Sequence, residues 1–241
     1  YGKDLGDGTT LASLLWRLNE IDGIERLRFM TSHPRDITDE LIDCMRDAEK
    51  VMEQLHLPVQ SGNDRILKLM GRRYNRRQYL ELVEKLRANI PDLTLTTDII
   101  VGFPGETEEE FEDTISLVKE VEYDSAFMFI YSPRPGTGAP NLPDHVPEEV
   151  KRERIHRLIE VQNEISARKN AAMVGSVQEV LVEGKNEKEP GMLNGRTRGN
   201  KIVTFPGGEE LVGRIIPVRI TRARTWTLVG EAEVPAVAGT A

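Results

Sequence analysis

Residues 95–107 read Leu-Thr-Thr-Asp-Ile-Ile-Val-Gly-Phe-Pro-Gly-Glu-Thr. The apolar run Ile99-Ile100-Val101 stops at Gly102-Phe103-Pro104-Gly105, and an acidic helix start follows at once. This order predicts a buried parallel strand, a tight turn and a capped helix. In α/β proteins, ligands bind at the carboxyl ends of such strands. A second run, His56-Leu-Pro-Val-Gln-Ser-Gly62, also ends in polar residues and glycine. Two strand ends of this kind predict a site assembled from several βα loops.

Working outward, the chain alternates helix and strand as far as Tyr131. Leu11, Leu14, Leu15 and Leu18 predict a helix over 10–21, and Leu27–Met30 a short strand. A helix follows over Thr38–Arg46, with Leu41, Ile42 and Met45 inward, then a strand over Leu55–Gln60. Tyr79, Leu82, Val83 and Leu86 mark a helix over Gln78–Ile90. Thr107 and Glu110 form a capping box for a helix carrying Phe111, Ile115, Val118 and Val121. Ala126–Tyr131 is the next strand, and the alternation implies parallel pairing.

Beyond Tyr131 the composition changes. Prolines 133, 135, 140, 143 and 147 mark a connecting loop, and a polar helix runs from Glu148 to about Asn170. From Val174 the period drops to two, with strands around 177–182, 202–205, 218–221 and 226–229. Turns at Gly207-Gly208 and Gly213 separate them, which predicts a small β-barrel.

The 241 residues suffice for a large core. No apolar run approaches the length of a membrane span, so the chain reads as soluble and cytoplasmic. A single cysteine, Cys44, excludes an internal disulfide. No cluster of His, Cys or carboxylates has metal-ligand spacing, so no metal is expected on this chain. Net charge is −8, but its distribution is uneven. Residues 62–90 carry eight basic and three acidic side chains, residues 106–124 one and nine, and residues 173–230 nine and six. A polyanion meets such patches before it meets the sum.

Three motifs together resemble the radical S-adenosylmethionine (SAM) methylthiotransferase family. They are His56-Leu-Pro-Val-Gln-Ser-Gly-Asn-Asp with Leu69-Met-Gly-Arg72, Asp98-Ile-Ile-Val-Gly-Phe-Pro-Gly-Glu-Thr107, and Phe129-Ile-Tyr-Ser-Pro-Arg-Pro-Gly-Thr137. Gly195-Arg-Thr-Arg-Gly-Asn-Lys-Ile-Val-Thr-Phe205 resembles the core of a TRAM domain, a small RNA-binding barrel. Thr96-Thr97-Asp98, Ser132-Pro-Arg-Pro135 and Gln162-Asn-Glu-Ile-Ser166 are most similar to the MiaB type, which methylthiolates an isopentenylated adenosine beside the tRNA anticodon. The implied fold is α/β: a partial (β/α) radical SAM, open TIM-like barrel lacking its first strands, plus an all-β, OB-like TRAM barrel. The implied layout is residues 1–146 for the first barrel, 147–172 a connecting helix, 173–232 the TRAM barrel and 233–241 a tail.

The resemblance implies SAM and two 4Fe-4S clusters as cofactors, tRNA as partner and a flavodoxin-like electron donor. The cluster cysteines of the family are absent here, so this stretch by itself is expected to be inactive and to belong to a longer enzyme. Self-association through an exposed sheet edge is a further expectation. The catalytic residues are unassigned. Gln60, Ser61, Asp98, Gly102, Phe103 and Pro104 are the candidates for SAM. For RNA they are Arg72, Arg73, Arg196, Arg198, Asn200 and Lys201, with Tyr74 or Phe205 as a stacking face, although Phe205 fits a barrel core equally well.

Each has a structural alternative. Gly102 and Gly105 serve a turn as well as a ligand, Asp98 a buried pair, His33 a turn before Pro34, and the arginines a solvated face. Other family substrates, a ribosomal protein or a threonylcarbamoyladenosine tRNA, remain open, as does a non-enzymatic RNA-binding protein.

Overall fold

The computed structural model describes residues 2, 4–30, 33–133, 136, 138, 139 and 142–233. The Thr31-Ser32 step, Arg134 and Pro135 of the Ser132–Pro135 signature, and the tail beyond Glu233 lie outside that set. Two compact units divide the chain, residues 1–165 and 166–241.

The first unit is a parallel sheet in the order β1 (Gln54–His56), β2 (Thr94–Val101), β3 (Ser125–Ile130). Helices α1 (Leu11–Asn19), α2 (Asp39–Asp47), α3 (Asp64–Leu69), α4 (Arg76–Asn89), α5 (Glu108–Val121) and α6 (Glu148–Ala171) accompany it. This βα succession is a partial (β/α) barrel. Local chemistry sets the helix starts. Thr10 with Ser13, Asn75 with Gln78, and Thr107 with Glu110 each form a reciprocal capping box. The short helix α3 escapes sequence periodicity, yet Asn63 caps it by accepting from the Arg65 and Ile66 amides.

From Leu95 onward β2 alternates strictly. Leu95, Thr97, Ile99 and Val101 are fully buried against the helices, whereas Thr96, Asp98 and Ile100 face the other way. The helix-side core runs through Leu55, Leu57, Leu86, Ile99, Phe111 and Val118.

Two strand expectations change. Regular pairing of β1 ends at His56, not Gln60, because Pro58 has no N–H to give the ladder. The Thr97 hydroxyl bridges the gap, accepting from the Val59 amide and donating to the Leu57 carbonyl, both at 2.9 Å. The ladder then resumes, with the Gln60 amide donating to the Asp98 carbonyl and the Ile100 amide to that of Gln60, both 2.9 Å. The strand expected at 27–30 is reduced to one parallel bridge, Leu27 to Val51, and the segment then runs outward to Met30, 72% exposed.

In the second unit, β4 (Val177–Lys185), β5 (Met192–Thr197), β6 (Ile202–Pro206), β7 (Ile215–Ala223) and β8 (Thr227–Ala232) close a barrel in the order β4-β5-β6-β8-β7. Val180, Val182, Leu193, Val203, Phe205, Val218, Ile220 and Leu228 fill it. Glycine at 195 permits close strand coiling: a Cβ there would stand 2.5 Å from the Leu181 carbonyl oxygen.

Candidate functional site

The face of the parallel sheet away from the helices carries a mixed polar and aromatic surface. Register places Thr96 beside His56 and Ser125, and Asp98 beside Phe127. His56 Nδ1 lies 2.9 Å from Thr96 Oγ1, and its Nε2 lies 3.3 Å from Asp98 Oδ2. Phe127 meets the His56 ring edge-on at 6.0 Å. Phe127 and Phe129 are 58% and 52% exposed. Aromatic side chains in this condition, next to an oriented imidazole and carboxylate, can stack on a planar ligand and hydrogen-bond its edge. His56, Thr96 and Phe129 stand in the sequence motifs without being candidates for the site, and Phe127 stands in none. The signal was available in the period-two alternation of β2 and β3, once His56 is placed in register with Thr96.

Of the residues expected to bind SAM, Gln60 and Asp98 flank the sheet's carboxyl end. Gln60 is buried with φ 71°, a left-handed conformation that a non-glycine residue holds only when its surroundings fix it. Ser61 is fully buried; its hydroxyl accepts from the Asn63 amide and lies 3.5 Å from Thr114 Oγ1. The neighbouring Gly62 lets this loop press on α5, since a Cβ there would sit 2.5 Å from the Asp113 carbonyl oxygen.

Gly102 adopts φ 70°, and its missing Cβ makes room for the methylenes of Lys151 from α6. Phe103 packs edge-to-face on Tyr131, centroids 5.1 Å apart, with Ile66 alongside. Pro104 is buried behind it. Gly102, Phe103 and Pro104 therefore form a packed shoulder next to the strand end.

That shoulder is pinned by a buried ion pair. The Glu106 carboxylate accepts from the Gly102 amide at 2.7 Å and from Arg154 Nη1 at 2.9 Å. Burial pushes the Glu106 carboxyl above its usual range, against the opposing pull of the Gly102 amide and Arg154. Arg154 also reaches Glu108 at 3.1 Å.

The acidic α5 is held by basic partners on both sides. Arg65 bonds both carboxylate oxygens of Glu110, at 2.5 and 2.7 Å, and holds that carboxyl below the usual range. Arg76 reaches Glu120 at 2.9 Å and the Asp113 carbonyl at 2.7 Å. From α6, Arg157 pairs with Glu108 and Glu112. Much of the basic surplus of residues 62–90 is thus spent within the protein. Arg73 is exposed and Arg72 half-buried, before α4.

In the second unit, the expected RNA contacts collect on the β5–β6 hairpin. Arg196 pairs with Glu183 at 3.2 Å and donates to the Asn200 carbonyl and side-chain oxygens at 3.3 and 3.2 Å. Asn200 supplies the left-handed turn position, φ 66°. Arg198 approaches Glu179 at 4.0 Å, and Lys201 Nζ donates to Asn170 Oδ1 at 2.9 Å. The stacking candidates are corrected. Phe205 is fully buried in the barrel core, where its strand alternates inward. Tyr74 is buried too, its hydroxyl donating to the Val59 carbonyl at 2.9 Å.

Among the described residues, no group of three His, Cys, Asp or Glu side chains is placed to hold a metal ion. Cys44 is buried, and burial pushes its thiol up to about 11, away from the thiolate that a cluster requires. His33 caps the short turn at Pro34–Asp36, its Nδ1 accepting from the Arg35 amide at 3.3 Å.

Residues 5–118 match the family model for the radical SAM superfamily, and residues 171–232 that for the TRAM domain. The tRNA-2-methylthio-N(6)-dimethylallyladenosine synthase of Thermoanaerobacter sp. (strain X514) is 56% identical over 96% of this chain and 49% of its own length. Enzymes of the same name from Moorella thermoacetica and Acetivibrio thermocellus are each 55% identical, over 96% and 95% of this chain and 52% and 48% of theirs. The chain spans about half the length of the curated relatives it matches. Among solved structures, the Escherichia coli radical SAM enzyme coproporphyrinogen III oxidase is similar over 55% of this chain and 31% of its own, with TM-score 0.47 and 24% identity. With a radical SAM segment leading into a TRAM domain and this identity along nearly its whole length, the chain belongs to the radical SAM methylthiotransferase family.

Proposed function

We propose that this chain supplies the ligand platform and the RNA grip of an enzyme that adds a methylthio group to an N6-isopentenylated adenosine in tRNA. The observation that carries this reading is 55–56% identity, along almost the whole chain, to relatives bearing that activity in their names. The sheet face around His56, Asp98, Phe127 and Phe129 fits a nucleoside such as that of SAM: apolar planes beside polar groups with fixed orientation. When bound, SAM supplies the radical and the methyl group. The iron–sulfur clusters that the family uses find no ligand set among the described residues.

In this reading Gln60 and Asp98 hold polar groups of SAM at the strand ends, and Ser61 fixes the loop that carries Gln60. Gly102, Phe103 and Pro104 provide the dry shoulder that keeps water from the reacting atoms. Arg72 and Arg73, with Arg196, Arg198, Asn200 and Lys201 on the barrel, take the tRNA backbone. The electron donor is a flavodoxin-like reductant. The sheet edge on the side of the first barrel strands, next to β1, is the place for any self-association.

The test uses the full-length protein, reconstituted anaerobically with iron and sulfide. It is incubated with SAM, reductant and isopentenylated tRNA, and the nucleosides are read by mass spectrometry. A methylthio adenosine product is expected. SAM cleavage without it would move the substrate to a ribosomal protein or a threonylcarbamoyladenosine tRNA. Absence of cleavage with intact clusters would overturn the enzymatic reading and leave an RNA-binding one.

A further inference from the structure

We propose that Trp226 is a stacking platform for an unpaired RNA base at one end of the small barrel. Trp226 sits at the tip of the β7–β8 hairpin, where the Arg224 amide donates to the Thr227 carbonyl at 2.8 Å and closes the turn. By strand alternation it falls on the same side as the core residue Leu228. It lies beyond the barrel end, however, and stays 71% exposed. Tryptophan carries more apolar area than any other side chain, so an indole left largely in water is a surface that a planar partner can cover.

Its surroundings indicate the occupant. β6 and β8 run parallel with Ile202 beside Thr227, so Lys201 and Trp226 enter the barrel side by side. Asn170 ties the two tips together: its Nδ2 donates to the Arg224 and Thr225 carbonyls at 3.1 and 2.9 Å, and its Oδ1 accepts from Lys201 Nζ. Arg196 and Arg198 belong to the same hairpin as Lys201, and Arg224 to the same turn as Trp226. A broad indole face next to several guanidinium and ammonium groups matches the pattern for single-stranded nucleic acid, in which cations track the phosphates and an aromatic ring takes a base. The rim is charged with both signs, Arg196 pairing with Glu183, Arg198 with Glu179 and Arg224 with Glu189 at 3.1 Å, and a charged rim argues against a purely apolar partner.

This inference rests on the reading of the barrel as an RNA grip, and the experiment separates the two. The whole chain and its Trp226→Ala and Trp226→Phe variants are titrated into a fluorescein-labelled RNA hairpin with an adenosine-rich loop, and into a fully paired RNA duplex. Trp226→Ala is expected to weaken the hairpin about tenfold, within the range of one base–aromatic stack, while Trp226→Phe keeps most of the affinity. The salt slope stays that of the unmodified chain, because no phosphate contact is removed. In a Trp16→Phe background Trp226 is the one remaining indole, since the chain has two, and hairpin RNA quenches its fluorescence where the duplex does not. Equal hairpin affinity in Trp226→Ala and the unmodified chain would overturn the stacking role alone. Failure of the unmodified chain to bind the hairpin would overturn the RNA-grip reading with it.

Discussion

Replacing Arg154 with methionine tests how the turn after β2 is held. The side chains of Arg154 and Glu106 are 5% and 1% exposed, so the carboxylate left behind has no route to bulk water. It would keep the Gly102 amide and lose the guanidinium at 2.9 Å, together with that group's position over the Phe111 ring, 5.5 Å from its centroid, while methionine fills the volume of the arginine stem. Removing one partner of a buried pair costs about 3–5 kcal/mol, against about 5–15 kcal/mol for a whole domain. With a urea dependence of about 1–3 kcal/mol per molar, the midpoint should fall by more than about 1 M. Trp16, packed against the core of the first unit, reports the transition by fluorescence.

The pH dependence has a definite sign. Burial already raises the Glu106 carboxyl above its ordinary 4.5, and losing the arginine raises it further. The native state then binds the proton more tightly than the unfolded chain does. The variant is therefore most deficient at neutral pH and regains stability as pH falls toward 4.5. Adding Glu106→Gln should recover most of the loss. A deficit below about 1 kcal/mol, the level of an exposed pair, with no gain on acidification would refute this account.

Three further outcomes are expected. Gly102→Ala should lower the thermal midpoint, combining a left-handed φ penalty of about 1–2 kcal/mol with the clash on Lys151; Lys151→Ala should relieve the clash and leave the φ penalty. Thr97→Val strands the buried Val59 amide and should cost about 1–3 kcal/mol in urea unfolding, with Thr97→Ser near wild type. Arg65 holds Glu110 below its usual 4.5, so that stabilisation is present above about that pH and drains as pH falls. In Arg65→Gln the acid limb of the stability curve should flatten, and an unchanged limb would remove Arg65 from that role.

What the sequence made legible is what is decided locally. The Thr107–Glu110 capping box lies within one turn, and the run Ile99–Val101 with Gly102 is its own strand and stop. The small barrel is legible through period two, although β5 shows in sequence as a motif and not as an alternating strand. The pairing end of β1 was misjudged because the effect of Pro58 depends on a hydroxyl from Thr97, some forty residues away. His56 stayed hidden because its face is set by a neighbouring strand. Charge counts found the basic and acidic stretches but not their mutual neutralisation, since Arg65, Arg76 and Arg157 meet their carboxylates only across the folded unit. Tyr74 offers a stacking face in sequence and is buried as a side chain, and of the two readings open for Phe205 the barrel core is the one that holds.

The doubly clamped α5 has a consequence for how the chain is made. Its acids emerge from the ribosome well before α6, whose arginines stand 45 to 49 residues downstream. Until those arrive, like charges along the segment repel one another and only the upstream arginines can shield them. Docking of α5 thus waits on the synthesis of α6, so ribosome-bound chains halted between the two should remain open to protease across 106–122 after β2 and its upstream helices have closed.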